Sequence, residues 1–212
     1  RLIEKFNVTV PYICCDYFMT WPLQSEDLSV RTKSREVLVE LITISGEIGI
    51  KYIELPMIGK AGLEEKQNAQ IILELLDDIS ALLEKHNIYI VLEVSLKPEE
   101  VLQFINQFSS DMIQLNYDTG NSAYWEFDVK KEIPVYGSKI GNVHIKDCTP
   151  EDYSVALGKG NVDFEQSFEL LKKAGYTGDF ILQTAKGNDG KFVEEVTEYF
   201  HFTQSLVRRY FP

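Results

Sequence analysis

The 212-residue sequence predicts an α/β fold on a parallel sheet, closed as a (β/α)8 barrel. Three observations carry that expectation. Short β-branched apolar runs alternate with longer segments of helical period, the pattern of βα units. No GxGxxG follows an early strand, which leaves the dinucleotide version of an open, doubly wound sheet without support. Polar residues stand at the C-terminal end of one strand after another, where barrel enzymes keep their chemistry and where a packing role is least expected.

The strands are predicted over residues 8–16, 50–57, 88–94, 112–117, 140–146 and 180–183. The clearest helix between them covers residues 63–86, with Ile71, Leu75, Ile79 and Leu82 or Leu83 on one face and acidic and basic residues on the other. Asp163 is placed to cap a helix over 164–174 that stops at Gly175. The last helix, 192–210, carries Glu194, Glu195 and Glu198 early and Arg208 and Arg209 late, matching the helix dipole. No linker, low-complexity tract or charge block divides the chain, so residues 1–212 read as one domain. The chain opens on Arg1, and RLIEKFN reads as the end of a helix entering a strand. Six βα units out of eight then imply that the first two, about 60 residues, are missing from the barrel.

Composition narrows the function. With 44% hydrophobic and 25% charged residues the chain can bury a core as an ordinary globular protein, and no apolar run is long enough for a membrane span or a secretory signal. A net charge of −12, from 21 basic and 33 acidic residues, repels a phosphate backbone and argues against nucleic acid. Cys14, Cys15 and Cys148 make neither a disulfide framework nor a CxxC site, which fits a reducing, cytoplasmic setting.

Alternation of side chains along a strand tells which residues share a face. By that parity Glu93 ends the strand IYIVLEV on the same side as Tyr89 and Val91. Gln114, Asn116 and Asp118 share a side in MIQLNYD, Asn142, His144 and Lys146 do so in IGNVHIK, and Gln183 closes the last strand. Two carboxylates, an imidazole and an amide oxygen suit a divalent ion such as Mn²⁺, Mg²⁺, Co²⁺ or Zn²⁺, with positions open for substrate oxygens. Each residue alone also has a plainer explanation: a strand-end Asp is commonly a helix cap, and a lone His is commonly a satisfied core residue. His86 and His201, on predicted helices, are assigned packing or solvent-facing roles. Recurrence at the same end of successive strands lifts the set above those readings.

Lys146 points by parity into the same mouth. It can stabilise developing negative charge, donate a proton, or sit at the rim paired with Asp147. Asn121, Asp16 and Glu54 are weaker candidates for substrate or supporting contacts. Gly158-Lys159-Gly160 can cradle a phosphate through backbone N–H groups, although a tight turn leading to the Asp163 cap is the stronger reading. Trp21 and Trp125 can stack on a sugar face, but loop tryptophans more commonly serve packing or subunit interfaces.

The pieces VPYICCDYFMTWPL, LEV, NYDTGNSAYW, VHIKD and LGKGNVDFEQSFELLKKAGYTGDFILQTAKG resemble the xylose isomerase-like TIM barrel superfamily, in its sugar-phosphate isomerase/epimerase group. The resemblance covers nearly the whole chain. It implies a divalent metal held by Glu93, Asp118, His144 and the position of Gln183, where related epimerases carry a second glutamate. In those enzymes the two glutamates are bases on opposite faces of an enediolate. A glutamine has no usable proton-transfer pKa. The resemblance therefore implies a metal-dependent isomerase or epimerase for a small sugar or sugar phosphate, with Glu93 as principal base and one-base isomerisation chemically easier than two-base epimerisation. A metal-dependent dehydratase or lyase on the same barrel and a non-catalytic binding protein of the same fold stay open, whereas an abasic-site nuclease would need more histidines and a basic groove. A small-molecule partner is expected, along with a possible homo-oligomer.

Overall fold

The computed structural model describes residues 2–187 and 190–212. Its strands are β1 (Tyr12–Cys14), β2 (Tyr52–Met57), β3 (Tyr89–Val94), β4 (Ile113–Asp118), β5 (Ile140–Ile145) and β6 (Phe180–Leu182). They form one six-stranded sheet in the order β1 to β6, and the registered pairs are parallel. The helices are α1 (Leu2–Phe6), α2 (Tyr17–Thr20), α3 (Leu28–Ile48), α4 (Lys66–Asp78), α5 (Ser80–His86), α6 (Pro98–Ile105), α7 (Thr119–Tyr124), α8 (Val129–Tyr136), α9 (Phe164–Lys173) and α10 (Phe192–Tyr210). The α/β fold class holds, with sequential parallel strands as βα units dictate. No helix among the described residues is long and apolar enough to cross a membrane. Contacts divide the chain into two compact units, Arg1–Leu96 with Gln103–Leu115 and Lys97–Leu102 with Asn116–Pro212.

In the first unit, Ile53, Leu55, Met57, Ile90 and Leu92 are completely buried, as central parallel strands require. The register aligns Tyr12, Tyr52 and Tyr89, whose rings stack at 4.4 and 5.3 Å between centroids. That ladder fixes the face on which Cys14, Glu54 and Glu93 also lie, each an even number of residues farther along its strand. Helix α3 is capped by Asp27, whose carboxylate accepts from the Ser29 N–H at 2.8 Å, and it ends at Gly49 with φ 87°.

Most element ends shift by one or two residues, and two elements differ more from expectation. The first strand is confined to Tyr12–Cys14, because Pro11 has no N–H and only its carbonyl pairs, accepting from Lys51 and Tyr52. The helix expected over 63–86 begins at Lys66 and breaks at Ile79 into α4 and α5. Asp77 and Asp78 close the first piece, where acidic side chains oppose the helix dipole and weaken helix propensity. The break turns the buried stripe to Ile72, Leu75, Leu76, Ile79 and Leu83, so Ile71 and Leu82 are only partly covered.

In the second unit, Asp163 caps α9 by accepting from the Gln166 N–H at 3.0 Å, and Gly175 follows the helix at φ 78°. Helix α10 has the predicted bounds. Phe168 stacks on Phe180 at 4.7 Å, tying α9 to β6. Histidine placement is as expected: His86 packs beside Gly46 of α3, and His201 is exposed.

Behind β4, Glu132 of α8 is 3% exposed and accepts hydrogen bonds from the hydroxyls of Ser122 and Tyr136. Burial raises its carboxyl pKa above the usual 4.5, outweighing those hydrogen bonds. Because the folded-state pKa lies above the unfolded one, native Glu132 keeps its proton where the unfolded chain has lost it. Its contribution to stability is complete below the unfolded value and is lost as pH rises through the folded value. Urea titrations of the wild type and Glu132→Gln are therefore expected to diverge, with the variant gaining relative to the wild type as pH rises from the unfolded-state carboxyl value through the raised folded-state one. A pH-independent difference would remove Glu132 as the titrating group.

Candidate metal and substrate site

Glu93, Asp118 and His144 come from the C-terminal ends of β3, β4 and β5 and are 5%, 4% and 4% exposed. Within the second unit, a carboxylate oxygen of Asp118 and an imidazole nitrogen of His144 lie within 4.8 Å of each other. Buried carboxylates and an imidazole are donors that fit a borderline or hard divalent cation, which would offset the cost of burying the carboxylates. Gln183, directly after β6, is exposed, and its backbone N–H donates to the Ile145 carbonyl at 3.1 Å.

The DTGN segment has a physical reason at every position. Asp118 ends β4 and caps α7, its Oδ1 accepting from the Asn121 N–H at 2.9 Å. The plainer cap reading and the ligand reading thus fall on one residue, since a carboxylate has two oxygens to share. The Thr119 hydroxyl donates to the Lys146 carbonyl at 2.7 Å and lies 3.1 Å from the Lys146 N–H, pinning the end of β5 to the start of α7. At Gly120 a Cβ would sit 2.5 Å from Cγ of Lys146, so only glycine lets that side chain pass. Asn121, 1% exposed, accepts from the Lys146 ammonium through Oδ1 at 2.8 Å.

Lys146 is itself 4% exposed. Its Nζ is also 3.7 Å from Asp118 Oδ2 and 3.4 Å from the centroid of the Tyr153 ring. The rim pairing of Lys146 with Asp147 is not what forms. Parity turns Asp147 to the opposite side, where its fully buried carboxylate accepts from the N–H groups of Cys148, Gly158, Gly160 and Val162 at 3.0, 2.8, 2.8 and 3.2 Å. The same bonds answer the phosphate-cradle idea for Gly158-Lys159-Gly160. Two of the N–H groups that a cradle would offer are already taken, and the segment is the tight turn leading to Asp163.

On the first unit's face, Glu54 is 4% exposed, while Asp16 is exposed at the start of α2 without a capping bond. The Cys14 thiol donates toward Asp16 Oδ1 at 3.4 Å and Glu54 Oε1 at 3.8 Å. Desolvation of the sulfur, then the charges of Glu54 and Asp16, push this thiol well above the ordinary range. It stays protonated at neutral pH, which makes a cysteine nucleophile a poor choice here. Trp21 is 48% exposed, and the Trp125 ring lies 5.9 Å from that of Phe127.

Sequence reasoning missed Thr119, the loop-holding role of Asp147, and Tyr153. The first two stood in quoted motifs, DTGN and VHIKD, but their partners are backbone groups that no side-chain pattern displays.

Residues 1–200 match the model of the xylose isomerase-like TIM barrel. The chain belongs to that family. Its curated relatives include L-ribulose-5-phosphate 3-epimerase UlaE of Escherichia coli O1:K1 / APEC, 29% identical over 190 residues, which are 85% of this chain and 66% of the relative. The chain thus spans about two thirds of the length of such relatives. Among solved structures, that of an L-ribulose 3-epimerase superposes with a TM-score of 0.78 at 20% identity, covering 98% of this chain and 79% of the other. A structure of the IOLI protein with a binding zinc atom gives 0.74 at 17% identity, covering 99% and 92%. At such identities these two show the shared fold.

Proposed function

We propose that this chain is the metal-binding part of an isomerase or epimerase acting on a small sugar or sugar phosphate. The carrying observation is that three successive strands, β3, β4 and β5, each carry a buried ligand-type side chain at the C-terminal end: Glu93, Asp118 and His144. The activity named for the UlaE relative supports a ketopentose phosphate as first probe, and the zinc of the IOLI structure supports a divalent ion.

In this reading Glu93, Asp118 and His144 hold the cation, with the Gln183 amide oxygen as the fourth ligand. When bound, the ion supplies electrophilic stabilisation to the substrate oxygens beside the carbon that loses its proton. Glu93 takes that proton. Lys146, held by Asp118 and Asn121, faces the oxygen on which charge develops. Asn121 orients Lys146, while Glu54 and Asp16 supply substrate contacts from the first unit's face. Since Gln183 cannot transfer a proton, the reading favours one-face proton return, hence aldose–ketose isomerisation, unless Lys146 protonates the opposite face and permits inversion at C3.

Thermal unfolding with Mn²⁺, Mg²⁺, Co²⁺ or Zn²⁺ tests the metal. An ion at about 100 times its Kd is expected to stabilise by about 2.7 kcal/mol, and His144→Ala is expected to lose that gain. No response to any of the four ions would defeat the reading. Incubating L-ribulose 5-phosphate in deuterated water then separates the chemistries: an aldose product carrying deuterium at C2, the former carbonyl carbon, supports one-base isomerisation, and efficient C3 inversion with deuterium at C3 and Gln183 intact overturns it.

A further inference from the structure

Lys146 is enclosed by three different partners: the Asn121 amide oxygen at 2.8 Å, the Asp118 carboxylate at 3.7 Å and the Tyr153 ring face at 3.4 Å. The first two are 1% and 4% exposed, whereas Tyr153 is 42% exposed. Tyr153 is thus the one of these three partners that itself borders solvent. The ring is steadied edge-on by Tyr124, with centroids 5.0 Å apart and planes at 87°, and Tyr124 is 39% exposed in turn.

Tyr153 sits in a loop that is fixed at its base and open at its tip. Asp147 gathers the N–H groups of Cys148, Gly158, Gly160 and Val162, and Asp147 pairs with Val155 in an antiparallel bridge. Between these anchors, Thr149 and Asp152 close a turn on each other's backbone. Such a loop can swing a tip side chain without surrendering its foundation.

An ammonium has three N–H groups, and here each of its sides meets a partner. A substrate oxygen can reach Lys146 only by replacing one of them. The π contact is the weakest of the three and the one whose partner borders solvent. We propose that Tyr153 is a positioning residue that caps the Lys146 ammonium in the absence of substrate and is displaced by the substrate oxygen or anion that Lys146 binds. The assignment of Lys146 as a substrate contact rests on the functional reading above, whereas the capping itself does not. A cap of this kind lowers apparent affinity by the fraction of time it is closed, so it trades affinity for exclusion of water and stray anions from the cation.

The first measurement needs no turnover. Reductive methylation with formaldehyde, followed residue by residue by mass spectrometry, is expected to find Lys146 protected in the wild type and in Tyr153→Phe. In Tyr153→Leu it is expected to react about tenfold faster, with the other lysines unchanged as a control for folding. Equal protection in Tyr153→Leu would overturn the cap. The second measurement uses L-ribulose 5-phosphate as probe: Tyr153→Leu is expected to lower KM several-fold, and Tyr153→Phe to leave it near the wild-type value. A KM unchanged or raised in Tyr153→Leu, with Lys146 newly reactive, would overturn displacement by substrate. Absence of turnover in every form, with the methylation pattern as expected, would count against the isomerase reading and leave the cap standing.

Discussion

Replacing Glu93 by glutamine is expected to lower turnover of a ketose phosphate by about 10³-fold, even at saturating divalent ion. The substitution keeps the volume of a side chain that is 5% exposed, so packing at the end of β3 is preserved. It also keeps one oxygen as a possible ligand. What disappears is the proton acceptor. Asp118→Asn makes the useful contrast, because Asp118 caps α7 and pairs with Lys146 and, in the proposed reading, binds the metal without taking a proton itself. Its Oδ1 bond to the Asn121 N–H can survive as an amide oxygen, so its loss should fall mainly on metal affinity and be largely restored by excess Mn²⁺. Turnover of the two variants across a Mn²⁺ titration, with deuterium exchange into the substrate, distinguishes base from ligand. Recovery of Glu93→Gln to within tenfold of wild type at high metal would remove Glu93 as the base.

The inner faces of the strands were readable because parity is an arithmetic property of extended chain. Glu93, Asp118 and His144 were named from alternation, and each is a buried side chain at the C-terminal end of its strand. Helix α10 was legible to the residue because its charges follow the dipole from Glu194 to Arg209. Long-range and backbone-mediated features were not. The break at Ile79 depends on how α4 and α5 each settle their buried faces, which a single hydrophobic stripe averages away. The 21-residue α3 was not singled out: it buries only Ser34, Leu38, Ile42 and Ser45, with Ile44 and Ile48 left exposed, so its apolar residues do not mark one clean stripe. Tyr153 lies seven positions beyond Lys146, in a loop with no strand or helix period to indicate where its ring returns.

Asp147→Ala is expected to be the most damaging single change in stability among residues outside the proposed chemistry, by about 3 to 5 kcal/mol. One fully buried carboxylate satisfies four backbone N–H groups spread over residues 148–162, two of them on glycines. Gly160 approaches so closely that a Cβ there would overlap the Asp147 carboxylate and the Cys148 carbonyl. Removing the carboxylate strands donors that water cannot readily reach, and each unmet bond to a charged acceptor costs about 1.5 to 3 kcal/mol before relaxation. Asparagine is a poor substitute despite its shape, because its NH2 would face N–H groups that need an acceptor; Asp147→Asn is therefore expected to cost nearly as much as alanine. Urea unfolding of both variants measures the loss, and amide exchange at Gly158, Gly160 and Val162 locates it. Unchanged protection at those three amides would mean that another group holds the loop. The same loop presents Tyr153 to Lys146, so a loosened base should also free the cap: Lys146 in Asp147→Asn should become reactive to methylation even with the tyrosine intact.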